Sequence, residues 1–186
     1  EMKEYNGIRV NLIGYMGKTK TPFSIDFGVG DTIVPSALTR TLPVLLDGFE
    51  KPTILTYSLE STISEKFDAI IRFMESTGRM KDFYDIYYLA TSFEFEGRKI
   101  QEAIYETLSK RRTPYEKDTV QVIERLISND GIISRWNIFC KKVLKYELSL
   151  DEVVRLIISF LDPPFQAMIE EDELTKNWNS KKRQYE

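Results

Sequence analysis

The sequence has no histidine, one cysteine and no long apolar run, and each absence removes a class of function. Without histidine there is no Ser-His-Asp or Cys-His catalysis, no His-ligated zinc and no ordinary general base near neutral pH. Carboxylate, lysine and tyrosine chemistry remain. Cys140, alone, forms neither an intrachain disulfide nor a multi-cysteine metal site, as suits a reducing cytoplasm. No apolar stretch approaches the ~20 residues that a membrane span needs, and Val153–Leu161 is broken by charge and proline within a few residues. The opening Glu-Met-Lys-Glu-Tyr does not read as a signal peptide. These features predict a cytoplasmic protein without a membrane partner. With 26 basic and 29 acidic residues the net charge is −3, so a polyanion partner would need a local basic patch.

What is present is 186 residues, 42% apolar and 12% aromatic, enough for one good core and a small second one. Gly7–Met16 and Thr21–Val29 read as two strands joined by Gly17-Lys18-Thr19-Lys20. In the second strand Phe23, Ile25, Phe27 and Val29 share a face, which puts Asp26 on the other. Asp31, after Gly28-Val29-Gly30, reads as a turn residue, and that Gly-x-Gly is too short for a phosphate loop. After prolines at 35, 43 and 52, Pro52–Tyr57 is a further strand candidate. Helical periodicity then predicts helices from Leu59 to about Glu75, Lys81 to Thr91, Lys99 to Lys110, Asp118 onward, Ile132 to Tyr146 and Ser149 to Leu161. Asp162-Pro163-Pro164 is expected to end the last of these, leaving a frayed tail or a loosely packed helix. The expected fold is α+β, a small sheet with helices in residues 1–97 followed by a helical region in 98–186.

Two residues break the apolar pattern. Lys66 falls within the apolar arc of Ile63, Phe67, Ile70, Ile71, Phe73 and Met74. It either runs its stem out to solvent or aims its ammonium at an anion in a cleft. On the next helix Asp82 lies between Leu89 and Ile86, with Asp85 at the edge of the arc. An aspartate in a first helical turn is favoured by free amides and by the dipole whatever its function. A half-buried lysine and aspartate on neighbouring helices nevertheless point to a site more than to a stabilising device.

Three segments carry a resemblance: Ile25-Asp26-Phe27-Gly28-Val29-Gly30-Asp31; Tyr57-Ser58-Leu59-Glu60 with Ser64-Glu65-Lys66-Phe67-Asp68-Ala69; and Arg79-Met80-Lys81-Asp82-Phe83-Tyr84-Asp85-Ile86-Tyr87-Tyr88-Leu89. In order and spacing the chain from Gly7 to Ala90 resembles the AbiEii/AbiGii toxin family of nucleotidyltransferases. The resemblance implies a partial DNA-polymerase-β-like sheet and metal-assisted transfer of a nucleotide from a nucleoside triphosphate, with Mg²⁺, to a tRNA acceptor. It also implies a toxin–antitoxin or phage-defence role with a cognate antitoxin. Carried over, Lys66 is the phosphate-binding or catalytic lysine and Asp82 the last-motif carboxylate, with Asp26 completing the catalytic set. Asp26 is the metal-side carboxylate, and Lys81 and Asp85 support the nucleotide. The family's Asp-x-Asp element occurs nowhere in this chain, so the sequence is expected to be a fragment or a degenerate member, inactive alone. The rival expectation is a non-catalytic helical module that binds a protein or RNA. Its polyanion contacts would come from Lys110-Arg111-Arg112, from Lys141-Lys142 with Lys145, or from Lys181-Lys182-Arg183.

Overall fold

A computed structural model describes residues 7–28 and 33–186, which fall into two compact units, residues 1–32 and 33–186. In the first unit β1 (Gly7–Met16) and β2 (Thr19–Gly28) form an antiparallel hairpin. Gly17 takes φ 60° at the turn, a conformation that glycine adopts without steric cost. The second strand thus begins two residues before its expected start, and Val29 and Asp31 lie outside the described residues. The register pairs Ile8 with Phe27, Val10 with Ile25 and Leu12 with Phe23, so six apolar side chains share one face while Arg9 and Asp26 pair on the other. Among the described residues neither strand has a second neighbour, and the apolar face remains solvent-exposed.

The second unit is α+β. It opens with a short hairpin of β3 (Leu38–Thr41) and β4 (Thr53–Thr56). The helices α1 (Leu59–Phe73), α2 (Met80–Ser92), α3 (Gly97–Arg111), α4 (Thr119–Val122), α5 (Asp130–Phe139) and α6 (Leu150–Ile169) follow. A π-helical turn, Cys140–Leu144, extends α5. Ser58 caps α1 by accepting from the Ser61 amide, and the hydroxyls of Ser58 and Ser61 both donate to the Val34 carbonyl. The expected boundary between residues 97 and 98 falls inside this unit. Before it, α1 and α2 supply Ile63, Phe67, Phe83 and Ile86; after it, α3 and α6 supply Ile100, Ile104, Ile157 and Phe160 to the same core. Both α1 and α6 pack against helices from each side of residue 97, so one core spans the two stretches.

Two expectations about the C-terminal region are corrected. Pro163 and Pro164 lie within α6 and do not end it, because Pro164 and Phe165 are buried and Phe165 packs edge-on against Phe67 and Tyr115. The tail is ordered: β5 (Phe95–Glu96), β6 (Asn177–Asn179) and β7 (Gln184–Tyr185) form a three-stranded sheet. Trp178 is fully buried there and its indole N–H donates to the Ala90 carbonyl at 2.7 Å. Among the described residues, no helix is long and apolar enough to cross a membrane.

Candidate functional site

Lys66 reaches the site because its neighbours on α1 are fixed: Ile63, Phe67 and Ile70 are buried on either side of it. Its own side chain is 19% exposed, between the helix pair and solvent. On α2, Met80, Phe83 and Ile86 are buried in the same core, which turns Asp82 and Asp85 toward α1. The Lys66 ammonium lies 3.2 Å from Asp82 Oδ1 and 2.8 Å from Asp85 Oδ2. The stem is therefore packed and the head is aimed at carboxylates, the second of the two readings open for a lysine in an apolar arc. Asp82, with a side chain 5% exposed, accepts from side chains and from no backbone amide among the described contacts. Helix capping is not its role.

Each carboxylate has a further cation. Arg79 Nε donates to Asp82 Oδ2 at 2.5 Å, and Lys81 Nζ donates to Asp85 Oδ2 at 2.6 Å. Burial by itself would lower the Lys66 pKa, but the hydrogen bond to Asp85 and the charges of both carboxylates hold it above the ordinary lysine value. Burial likewise opposes ionisation of Asp85, and its bonds to Lys66 and Lys81 outweigh that and keep it below the usual carboxylate range. Removing Asp82 would cost about 1–3 kcal/mol, because Lys66 would lose one of its two carboxylate partners and keep Asp85 at 2.8 Å.

Charge counting defines what the cluster accepts. Three cations (Lys66, Arg79, Lys81) face two carboxylates (Asp82, Asp85), an excess of one positive charge. An ammonium has three N–H donors, and Lys66 spends two on Asp82 and Asp85. Among the described residues the third has no partner. Arg79 and Lys81, 62% and 71% exposed at their side chains, stand at the rim. Arg79 was not among the residues singled out from sequence; its signal was the i,i+3 spacing to Asp82.

Magnesium does not fit these carboxylates as arranged. Both oxygens of Asp82 face cations, and one oxygen of Asp85 is shared by two ammonium groups. Asp26, in the hairpin unit, accepts from Arg9 Nε at 2.5 Å and from Nη2 at 2.7 Å, and that hydrogen bond holds its pKa down. A dication needs carboxylate oxygens free of competing cations. Among the described residues no group of three or more potential ligands is assembled for a metal ion.

Two other polar clusters belong to the fold. Asp68, fully buried on the far side of α1, is bound by Arg111 at 2.9 Å, by Arg72 at 3.2 Å and by the Thr113 hydroxyl. Glu152 accepts from Tyr87 and Arg183 and ties the C-terminal hairpin to α2 and α6. Beside the Lys66 cluster, Tyr84 shares a hydrogen bond with Tyr146 at 3.1 Å, which pushes its pKa up to about 12.

A family model described as the nucleotidyl transferase AbiEii toxin of type IV TA systems matches residues 1–171. The match extends well beyond Ala90, into the helical region. No curated protein and no solved structure matches the chain.

Proposed function

The chain belongs to the nucleotidyl transferase AbiEii toxin family of type IV TA systems, and on that premise we propose that its Lys66 cluster grips the phosphates of a nucleoside triphosphate whose nucleotide passes to a tRNA acceptor. The observation that carries this reading is a half-buried ammonium with two carboxylate partners among the described residues, set in a cluster with one excess positive charge. Phosphoryl and nucleotidyl transfer ask for positioning and charge neutralisation and have no need of a titrating histidine, which this chain lacks. In this role Asp82 and Asp85 fix where the ammonium points. Lys66 offsets charge that develops on the leaving phosphates, and Arg79 and Lys81 shield the rim.

The magnesium that the family resemblance implies finds no fitting donor set among the described carboxylates, and no step assigned to these residues passes through it. The 186-residue chain also contains no Asp-x-Asp. It is therefore expected to bind nucleotide weakly and to transfer nothing measurable, with the paired aspartates that would hold magnesium still required. As a toxin of this family its partner is a cognate antitoxin, and its place of action is the cytoplasm, in defence against phage.

The test is transfer of radiolabelled nucleotide to bulk tRNA by two proteins, this chain and the chain joined to a paired-aspartate segment. The chain should be silent and the joined protein active. In the active protein Lys66→Ala should lower the rate roughly 10²–10³-fold, the size of a lost transition-state charge contact. Robust transfer by the present chain, or by the joined Lys66→Ala protein, would show that the chemistry lies elsewhere.

A further inference from the structure

Of the three basic runs in the sequence, two are partly committed within the protein. Arg111 pairs with Asp68 and Glu65; Lys182 pairs with Glu186 and Arg183 with Glu152. Lys141, Lys142 and Lys145 have no carboxylate partner among the described residues. They sit on and just after the π-helical turn, where Lys145 closes the turn in a left-handed conformation. There Asn137, Lys141, Lys145, Tyr146 and Leu148 line a cleft of about 940 Å³ open to solvent.

Aromatic rings connect this cleft to the Lys66 cluster. Tyr84 and Tyr88, one turn apart on α2, have ring centroids 6.2 Å apart and nearly parallel planes, 29° apart. The Tyr84 hydroxyl meets that of Tyr146 at the cleft. Behind Tyr84, Phe139 stands at 6.1 Å and itself packs on the buried Trp136, so the first ring is seated on the core. Tyr88 and Tyr146 are 50% and 51% exposed. Asp85, next to Tyr84 in the chain, is already paired with Lys66 and Lys81, which leaves Glu147 as the cleft's one carboxylate against two lysines.

Exposed rings interleaved with unpaired lysines are what an unpaired polynucleotide needs. Bases stack on the rings, the backbone lies along the cations, and a duplex, whose bases face inward, offers no stack. We infer that the surface from Tyr88 and Tyr84 to Tyr146, Lys141 and Lys145 binds single-stranded RNA and leads an acceptor end toward Lys66. The inference rests on the transfer reading for the purpose of the bound strand. Binding itself is measured without nucleotide, so either reading can fail alone.

The experiment is fluorescence anisotropy of the 186-residue chain with a labelled 12-nucleotide single-stranded RNA, the same RNA as a duplex, and the single strand as DNA, over a salt series. Single-stranded RNA should bind tightest. Tyr88→Ala and Tyr146→Ala should each weaken it on the order of 5–100-fold, as loss of one base–ring stack does, and Tyr88→Phe should restore it. Lys141→Glu with Lys145→Glu should weaken binding and flatten its salt dependence, which scales with the number of phosphates contacted. Circular dichroism of each variant should match the parent. Tighter binding of the duplex or of DNA, or RNA binding untouched by both tyrosine changes, would overturn the assignment. So would a cleft that takes up the cognate antitoxin while binding no RNA.

Discussion

Lys66 and Asp82 were legible as residues because each contradicts the helix it sits on: a charge inside an apolar arc must find a partner, and these two find each other at 3.2 Å. Arg79 was not legible in the same way. It lies at the N-cap position of α2, outside the helical wheel, and its contact with Asp82 depends on how that first turn is entered. The cluster carries a pH signature whose sign follows from the shifts. Asp85 has a folded pKa below that of the unfolded chain, about 3.9. Its contribution to stability is therefore present above that unfolded value and is lost as pH falls through the lower folded one. Lys66, raised above about 10.4, contributes fully below that value and loses its contribution as pH rises through the folded pKa. Asp85→Asn should accordingly destabilise the protein by about 1.5–3 kcal/mol at pH 7, the range for a hydrogen bond to a charged group. Urea titrations at pH 7 and near pH 2.5 should show that difference shrinking in acid. An equal difference at both values would mean that Asp85 acts through shape and not through charge.

Among the elements, periodic segments were legible and the C-terminal region was not. Apolar residues at helical spacing marked α1 to α3 within a residue or two at most ends, whereas two prolines in a row carry a local stop signal that tertiary packing of Phe165 overrides. The tail misled for a related reason. Its composition is polar, and one residue, Trp178, supplies its anchor against Phe160, Tyr185 and the Ala90 carbonyl. Trp178→Ala should cost about 3–5 kcal/mol of unfolding free energy, measured by urea denaturation. Gly97 gives a second check, since a Cβ there would lie 2.3 Å from the Lys176 carbonyl oxygen and 2.7 Å from Leu174. Gly97→Ala must push that segment away and should cost about 1–3 kcal/mol. Wild-type stability in both variants would fit a frayed tail and not the docked hairpin.

Across the whole molecule, the readable motifs stop near Ala90 while the family match runs to residue 171. The helices after α2 carry no short signature, because their contribution is the core that holds α1 against α2 and so fixes the Lys66 ammonium between two carboxylates. A net charge of −3 conceals this local surplus of positive charge. The most direct test is equilibrium binding of radiolabelled nucleoside triphosphate to the 186-residue chain, to Lys66→Met and to Lys141→Ala, with folding checked by circular dichroism. Methionine keeps the packed stem and removes the ammonium. Weak binding by the parent, a loss of about 10–100-fold in Lys66→Met and no change in Lys141→Ala are predicted; a folded Lys66→Met that binds triphosphate as well as the parent would contradict the account.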